Sequence, residues 1–509
     1  MTSSLDFVRV GPGRRAVLAG LSALGLSGLT PGIPAAESSR ETRGFSFASV
    51  VDLARQLRAS PYQPPSRDLP PALAALDYDG LRQLGFRDAR GLWADKALPF
   101  QVQFFHRGGL FPEPVQVFEV ADGVAQPVAY DPGLFRYGAG PLSDLTDPAD
   151  PRLGFAGLRL LHPLNTPDKF DEVAAFLGAS YFRAVARGGV YGASARGLAI
   201  GAGEPDEEFP RFTTFWLERP ARGAKALRLY ALMDSPSLSG AYAFVITPGE
   251  PTLTDVQAEL FPRRDVAGVG LANMTSMFLL APQAPSAAED FRPRIHDSDG
   301  LMVATAQDER LWRPLNNPPQ IAASGFQGPA PQGFGLAQRA DGFEAYQDLE
   351  ARYDLRPSLW ATPGEGFASG EVRLVEIPAT DEMADNVLAD WRLAAPLRAG
   401  APHAFSYRLA WGRPSALAPG AVRRWREGPG DAAGWRRVLL DITAADARPT
   451  PWAEAGGRPV RHLSVTENPV EGGWRMAFEF EPGAARTLEL RASLGASRNF
   501  ETWVRQWLA

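Results

Sequence analysis

The sequence predicts an all-β protein made of a large N-terminal sandwich and a smaller C-terminal one, and three observations carry that reading. Its 509 residues exceed a single ordinary core, so two domains are expected. Apolar residues recur with a period of two in run after run from Phe100 to Trp391. Glycine (51) and proline (46) break those runs at short intervals, which suits strands joined by turns rather than a helical bundle.

The elements follow in order. GRRAVLAGLSALGLSGL (13–29) sets Arg14 and Arg15 before a Gly-broken apolar run, and the small residues Ala35 and Ala36 follow. This is the pattern of a twin-arginine export signal over 1–36. The run is shorter than the roughly 18 to 20 residues a membrane span needs. In FSFASVVDLARQLRASPY (45–62), Val50, Val51, Leu53, Ala54 and Leu57 lie near one helical face, and YDGLRQLGF is expected to form a second short helix. From Phe100 the period changes. Phe100, Val102 and Phe104 alternate with Gln101, Gln103 and Phe105, Gly108-Gly109 turns the chain, and Val115 and Val117 resume. Similar runs in GFAGLRLLHPL, ALRLYALMD, AYAFVITPG, TLTDVQAELFPR, TSMFLLAP, GLMVATA, ERLWRPL and EVRLVEIP extend a large antiparallel sandwich over 37–391.

RLAAPLRAGAPHAF (392–405), rich in Ala and Pro, is expected to link the domains. HAFSYRLAWG, GWRRVLLDIT, PVRHLSVTEN, GWRMAFEFEP and RTLELRASL then form a β set over 406–509, the size of an immunoglobulin-like sandwich. Between the first two of these strands, the basic, Pro/Gly-rich segment 413–433 is expected to be a functional loop.

Composition excludes several chemistries. A net charge of -6 leaves no basic footprint for nucleic acid. With no cysteine there are no disulfides, thiol nucleophiles or thiolate-held metals, and His106, His162, His296, His403 and His462 show no metal-binding spacing. No metal or cofactor is therefore expected.

Three stretches combine carboxylates with aromatic rings and planar donors. RPRIHDSDGLMV holds Arg294, His296, Asp297 and Asp299; RLWRPLNNP holds Trp312, Arg313, Asn316 and Asn317. EIPATDEMADNVLADW (376–391) packs Glu376, Asp381, Glu382, Asp385 and Asp390 among residues that favour burial. Aromatic faces, Asn and Arg for hydroxyls, and two carboxylates for proton transfer are the needs of a polysaccharide site. Each stretch also has a bland reading: an Asx turn at HDSDG, a core Trp312, an exposed strand start at Asp385.

Longer blocks carry more weight. LGFAGLRLLHPLN, LGASYFRAV, YGASARGLAI, EEFPRFTTFWLERP, TSMFLLAP, HDSDGL, LWRPLNNP, QGFGLAQR, YDLRPSLW and VEIPATDE resemble the periplasmic glucan biosynthesis proteins G and D, up to about residue 391 and more weakly beyond. The leader makes the chain more similar to protein D. The resemblance implies a galactose-mutarotase-like sandwich followed by an immunoglobulin-like domain, located in the periplasm. It also implies a role in making osmoregulated glucans with a β-1,2-linked backbone, through an anomer-inverting β-1,2-glucanase. Its motif positions put the general acid at Asp385 and the general base at Asp297, and let segment 413–433 help cover the cleft. Tyr191, Arg196, Trp312, Arg313 and Trp360 are candidate subsite contacts. Asp381, Glu382 and Asp390 read as solvated or structural, Glu376 is unassigned, and Asp348 has no mechanism. The partners implied are β-1,2-glucan, the membrane glucan synthase and a second copy in a homodimer. A competing reading is a non-hydrolytic factor that guides nascent glucan from the synthase.

Inverting chemistry sets a physical condition. Burial near Val387 and Trp391 must keep Asp385 protonated while Asp297 stays ionised.

Overall fold

The computed structural model describes residues 44–508 except 138–141, 143–144, 146, 285–289, 414–416 and 496–498, so the expected export signal lies outside the described residues. Strands dominate, and two large sheets face each other across one apolar core. The ten-stranded sheet runs Gln101–His106, Phe155–His162, Asp171–Leu177, Tyr181–Ala184, Ser194–Arg196, Val269–Ser276, Val387–Leu393, Gly370–Glu376 and Ala322–Gly328, with Ala199–Ile200 paired beside Val269–Ser276. The fifteen-stranded sheet supplies the other layer and continues into the C-terminal region.

The alternation read from the sequence decides which side chains enter this core. Phe100, Val102 and Phe104 are buried in it, as are Phe182, Ala195, Met274, Val387, Ala389 and Trp391 of the ten-stranded sheet. By the strand period of two, their neighbours Tyr181, Arg183, Arg196, Thr275 and Asp390 face the other way. The helix Phe47–Arg58 closes the back of the fifteen-stranded sheet, with Val50, Val51 and Ala54 packed with Trp216, Tyr230 and Phe261. Leu53, expected on that face, is exposed. The second expected helix forms at Tyr78–Gln83, where Asp77 accepts the Gly80 N–H (2.9 Å).

The domain boundary differs from the expectation. His403–Gly412 pairs with Thr252–Pro262 on one side and Ser358–Pro363 on the other, so it is interior to the large sheet. The Ala/Pro-rich stretch is not a link between domains. It carries the chain from Val387–Leu393 in one sheet to His403–Gly412 in the other. Segment 413–433 is not one loop either, since Val422–Pro429 is a strand paired with Arg436–Ile442. Glycines and prolines crowd both ends of that strand, and a β-bulge between Val422 and Arg424 sets its buried residues Val422 and Trp425 three apart, which hides the strand period.

The smaller sandwich follows. One layer is Val422–Pro429, Arg436–Ile442, Trp474–Phe480 and Arg461–Glu467. The other contains Thr487–Ser493 and Thr502–Leu508, which joins the large sheet through the parallel pairs Leu311↔Thr502 and Trp312↔Trp503. Its core includes Val438, Leu440, Met476, Phe478 and Trp503, together with Trp312 and Ala337 of the large sandwich. The two units therefore share a core, and burial of Trp312 ties them together.

Candidate active site

The outward face of the ten-stranded sheet forms a polar floor. Tyr181 and Arg196 are cross-strand partners, and Arg196 lies about 5.4 Å from the Tyr181 ring. Arg183, on the same face as Tyr181, stacks over Tyr191 (4.2 Å), whose hydroxyl donates to Glu172 (3.0 Å). Burial and the Glu172 carboxylate hold the Tyr191 phenol well above its ordinary pKa, so it is a donor at any physiological pH. A β-bulge at Ala272 (φ 48°) breaks the register between Leu271 and Met274 and brings Asn273 onto this floor beside Thr275.

Asp385 stands at the edge of the floor, two residues before the strand Val387–Leu393. Asn386 fixes that approach, accepting from Phe278 N (2.8 Å) and donating to the carbonyls of Phe278 (2.9 Å) and Ile377 (3.0 Å). Asp385 accepts from the Thr275 hydroxyl (3.0 Å). Its pKa is pushed up to about 6, first by burial and then by the negative charge of Asp297, against the pull of Thr275, Arg183 and Arg196. The second aspartate thus adds to the burial that raises Asp385.

Asp297 is buried beside the end of the strand Val269–Ser276, with its N–H bonded to Met277 O (2.8 Å). Arg356 donates to its carboxylate (2.5 Å) and is itself held by Ala351 O (3.2 and 3.0 Å) and the Tyr353 ring (4.2 Å). Behind them Tyr353 donates to Glu382 (2.8 Å), and Arg292 bridges Glu382 (2.9 Å) and Asp348 (2.7 Å). Glu382 and Asp348 thus support the Tyr353–Arg356 unit, which sequence reasoning missed because its partners Asp297, Glu382 and Arg292 come from distant segments. The neighbouring His296 is buried and held below its usual pKa by that burial, with Gln338 at 2.9 Å. Asp299 accepts the N–H groups of Arg339 and Ala340 (2.6 Å each), a structural use.

The expected contacts divide. Tyr191 and Arg196 belong to the floor; Trp312, Arg313 and Trp360 do not. Trp312 packs in the second core with Arg339 over its ring (3.5 Å), which leaves no face for a sugar. Arg313 and Glu376, each 1% exposed, form a buried ion pair (2.8 Å), and Glu376 also accepts from Asn316 N (2.6 Å). Trp360 covers Gly333 and Gly335 on the back of the fifteen-stranded sheet, since its neighbours Leu359 and Ala361 take the core side. Asp390 is not solvated: it is 4% exposed on the floor, beside Asn273.

Two other features lie apart from the aspartates. A cavity of about 570 Å³ opens between the edge strand Ala322–Gly328 and the C-terminal strands, lined by Phe326, Arg313, Glu489 and Gln506 among others. Among the described residues Asp431, His462 and Glu479 bring ligand atoms within 4.8 Å of one another. Arg437 pairs with Asp431 (2.5 Å) and Glu479 (2.7 Å), and Arg461 with Glu479 (2.9 Å), so cations of the chain already answer both carboxylates.

The chain is thus a β-sandwich protein whose ten-stranded sheet carries a buried polar floor of Tyr, Arg, Asn and Thr with two interacting aspartates. The family described as "Periplasmic glucan biosynthesis protein, MdoG" matches residues 45–507, and the chain belongs to that family. "Glucans biosynthesis protein G" of Rhodopseudomonas palustris (strain BisA53) is 46% identical over 507 residues, covering 97% of this chain and 99% of the relative. The protein of the same name from Vibrio cholerae (strain O395) is 43% identical, covering 92% and 87%. That of Bradyrhizobium diazoefficiens is 41% identical, covering 97% and 99%. The likeness to protein D rests on the leader, outside the described residues, whereas these relatives carry the protein G name. Among solved structures a polysaccharide lyase covers 57% of this chain and 34% of its own at 12% identity and a TM-score of 0.16, too low to carry an argument. Family membership implies the periplasm, and among the described residues no helix is long and apolar enough to cross a membrane.

Proposed function

We propose that the chain acts in periplasmic glucan biosynthesis as an anomer-inverting endo-β-1,2-glucanase, exported by the twin-arginine route, with Asp385 as general acid and Asp297 as general base. The observation that carries this reading is the coupled pair: a carboxyl raised to about 6 by burial and by a second aspartate, on a floor of neutral and cationic donors. Like charges that push one pKa up separate the acid from the base, which is the division of labour inversion requires. Asp385 delivers its proton to the leaving glycosidic oxygen, while Asp297 takes a proton from water, directly or through a substrate hydroxyl. Tyr191, Arg183 and Arg196 orient the sugar hydroxyls. The β-1,2 linkage, the membrane synthase as partner and a homodimeric state come from the family resemblance alone.

One observation favours the second reading, a non-hydrolytic glucan-binding factor. Arg356 already engages Asp297 at 2.5 Å, which occupies the carboxylate that would have to activate water. Release of reducing ends from linear β-1,2-glucan separates the two. Hydrolysis predicts turnover by the mature protein and a loss of about 10²- to 10⁴-fold in Asp385→Asn with glucan binding kept. No turnover by folded wild type, with glucan still bound, moves the assignment to the binding factor.

A further inference from the structure

The two sheets of the large sandwich do not end together. The last strand of the ten-stranded sheet, Ala322–Gly328, pairs with Gly370–Glu376 on one side only. The fifteen-stranded sheet facing it runs on through Thr502–Leu508 and Thr487–Ser493. The cavity of about 570 Å³ fills the step between them, a size within the range of about 300 to 1,000 Å³ common to ligand pockets. It is apolar where Val303, Leu311 and Val504 of one sheet meet Val372 and Trp391 of the other. Towards solvent it is polar, with Gln307, Gln327, Thr487 and Glu489 exposed.

Three features say what this space would take. One wall is a bare strand edge of about 20 Å, along which alternate residues turn their N–H and C=O groups away from the sheet. Ala323, Ser324 and Gly325 are small, so a ligand can approach that backbone closely. Secondly, the two arginines in the lining are already answered. Arg491 pairs with Glu309 (3.3 Å), which also accepts from the Thr502 hydroxyl (2.8 Å), and Arg313 pairs with Glu376 (2.8 Å). An anionic ligand therefore gains little here. Thirdly, Gln506 shares the inward face of Val504, and its Oε1 is buried without a hydrogen-bond partner among the described residues. A hydroxyl would satisfy it. Phe326, half-buried, adds part of an aromatic ring.

We propose that this step between the sheets is a second carbohydrate site, which holds a stretch of neutral glucan chain against the free edge of Ala322–Gly328. The kind of sugar rests on the family's role in glucan biosynthesis, and hydrolysis at Asp385 and Asp297 is not assumed. The aspartates belong to the outward face of the ten-stranded sheet, whereas the cavity opens on its inward side, so a chain in one does not fill the other. A glucan held there stays tethered while another part of it meets or leaves the floor. A bare edge also suits an added peptide strand. Such a strand would lie over Gln506, Glu489 and Arg491, polar side chains where a strand closing a sandwich needs apolar ones, and that favours the sugar.

The test is calorimetric titration of the mature protein carrying Asp385→Asn with a linear β-1,2-gluco-oligosaccharide, and two binding events are expected. Gly328 shares the face of Ser324 and Phe326, and a Cβ there would meet nothing within 4 Å. Gly328→Trp on the same background therefore fills the cavity and abolishes one event. Gln506→Ala weakens that event by up to about tenfold, and carries the test if Gly328→Trp does not fold. Events that all survive in both variants overturn the proposal. So does turnover by wild type with a single event untouched by either variant, which leaves the glucanase reading standing. A single event that Gly328→Trp abolishes does the reverse: the cavity stands and the aspartate floor is no sugar site. No binding at all overturns both. A synthetic peptide of alternating threonine and valine, the probe for strand addition, is expected not to bind. Its uptake in place of glucan, lost in Gly328→Trp, overturns the sugar assignment.

Discussion

Glu376 and Asp385 stand nine residues apart in one acidic stretch, and the structure gives them opposite fates. Glu376 is answered at bonding distance by Arg313 and by a backbone N–H, and serves the scaffold. Asp385 has a neutral hydroxyl as its close donor, while Arg183 and Arg196 act on it across space and Asp297 opposes its ionisation. Within this stretch, the two differ in whether a guanidinium reaches them, not in the density of acids around them.

The strongest test of this contrast removes one half of the scaffold pair. Glu376→Ala leaves Arg313 charged and buried, so a loss of about 3 to 5 kcal/mol is expected in urea unfolding. Asp385→Asn should cost little by the same measure, since no ion pair at bonding distance is broken. Equal losses would dissolve the distinction. Next comes Trp312→Ala, which hollows the core shared by the two sandwiches and should cost about 3 to 5 kcal/mol. Whatever folded protein remains should bind glucan normally; weaker binding with full stability would restore Trp312 as a sugar platform.

Asp390 sharpens the comparison from the other side, as a buried acid without a cation at bonding distance. Its folded pKa of about 7 lies above the ordinary carboxyl value. The folded state therefore holds this proton more tightly than the unfolded chain. That contribution is complete below about pH 4 and is lost as pH rises toward 7. Asp390→Asn has no proton to lose, so it should exceed wild type in stability by about 2 to 4 kcal/mol above pH 7, with the gap closing by pH 4. Melting curves at pH 4 and pH 8 read this directly. A variant less stable than wild type at pH 8 would mean that Asp390 is ionised and paired after all.

Much of the scaffold was legible because alternation survives wherever one strand face meets the core. Phe155–His162, Leu227–Asp234 and Thr252–Pro262 lie where the pattern places them. Strands buried on both faces were harder: Asp171–Leu177 and Ser194–Arg196 show almost no period, and the second supplies the floor's arginine. The boundary near residue 405 misled because a link between opposite sheets has the composition of a link between domains. At the site, Asp385 and Asp297 were visible through long motif blocks. Arg356, Asn273 and Thr275 were not, since their meaning comes from partners 59, 117 and 110 residues away. Trp312 and Arg313 carry the right chemistry for sugars but sit in the fifteen-stranded sheet, the first packed in the core shared with the smaller sandwich and the second paired with Glu376, which no local pattern reveals.

The smallest expected effect falls on Asp381, in the same stretch. It is exposed, and its carboxylate accepts the Met383 N–H (2.8 Å) in a local turn. Asparagine offers the same acceptor with the same reach, so the turn survives and only a solvated charge is lost. Asp381→Asn should therefore lie within about 0.5 kcal/mol of wild type in stability and leave glucan turnover or binding unchanged. A clear loss of activity would mean that the stretch acts on substrate as one negative surface. In that case the line between the paired Glu376 and the proton-holding Asp385 would no longer explain the site.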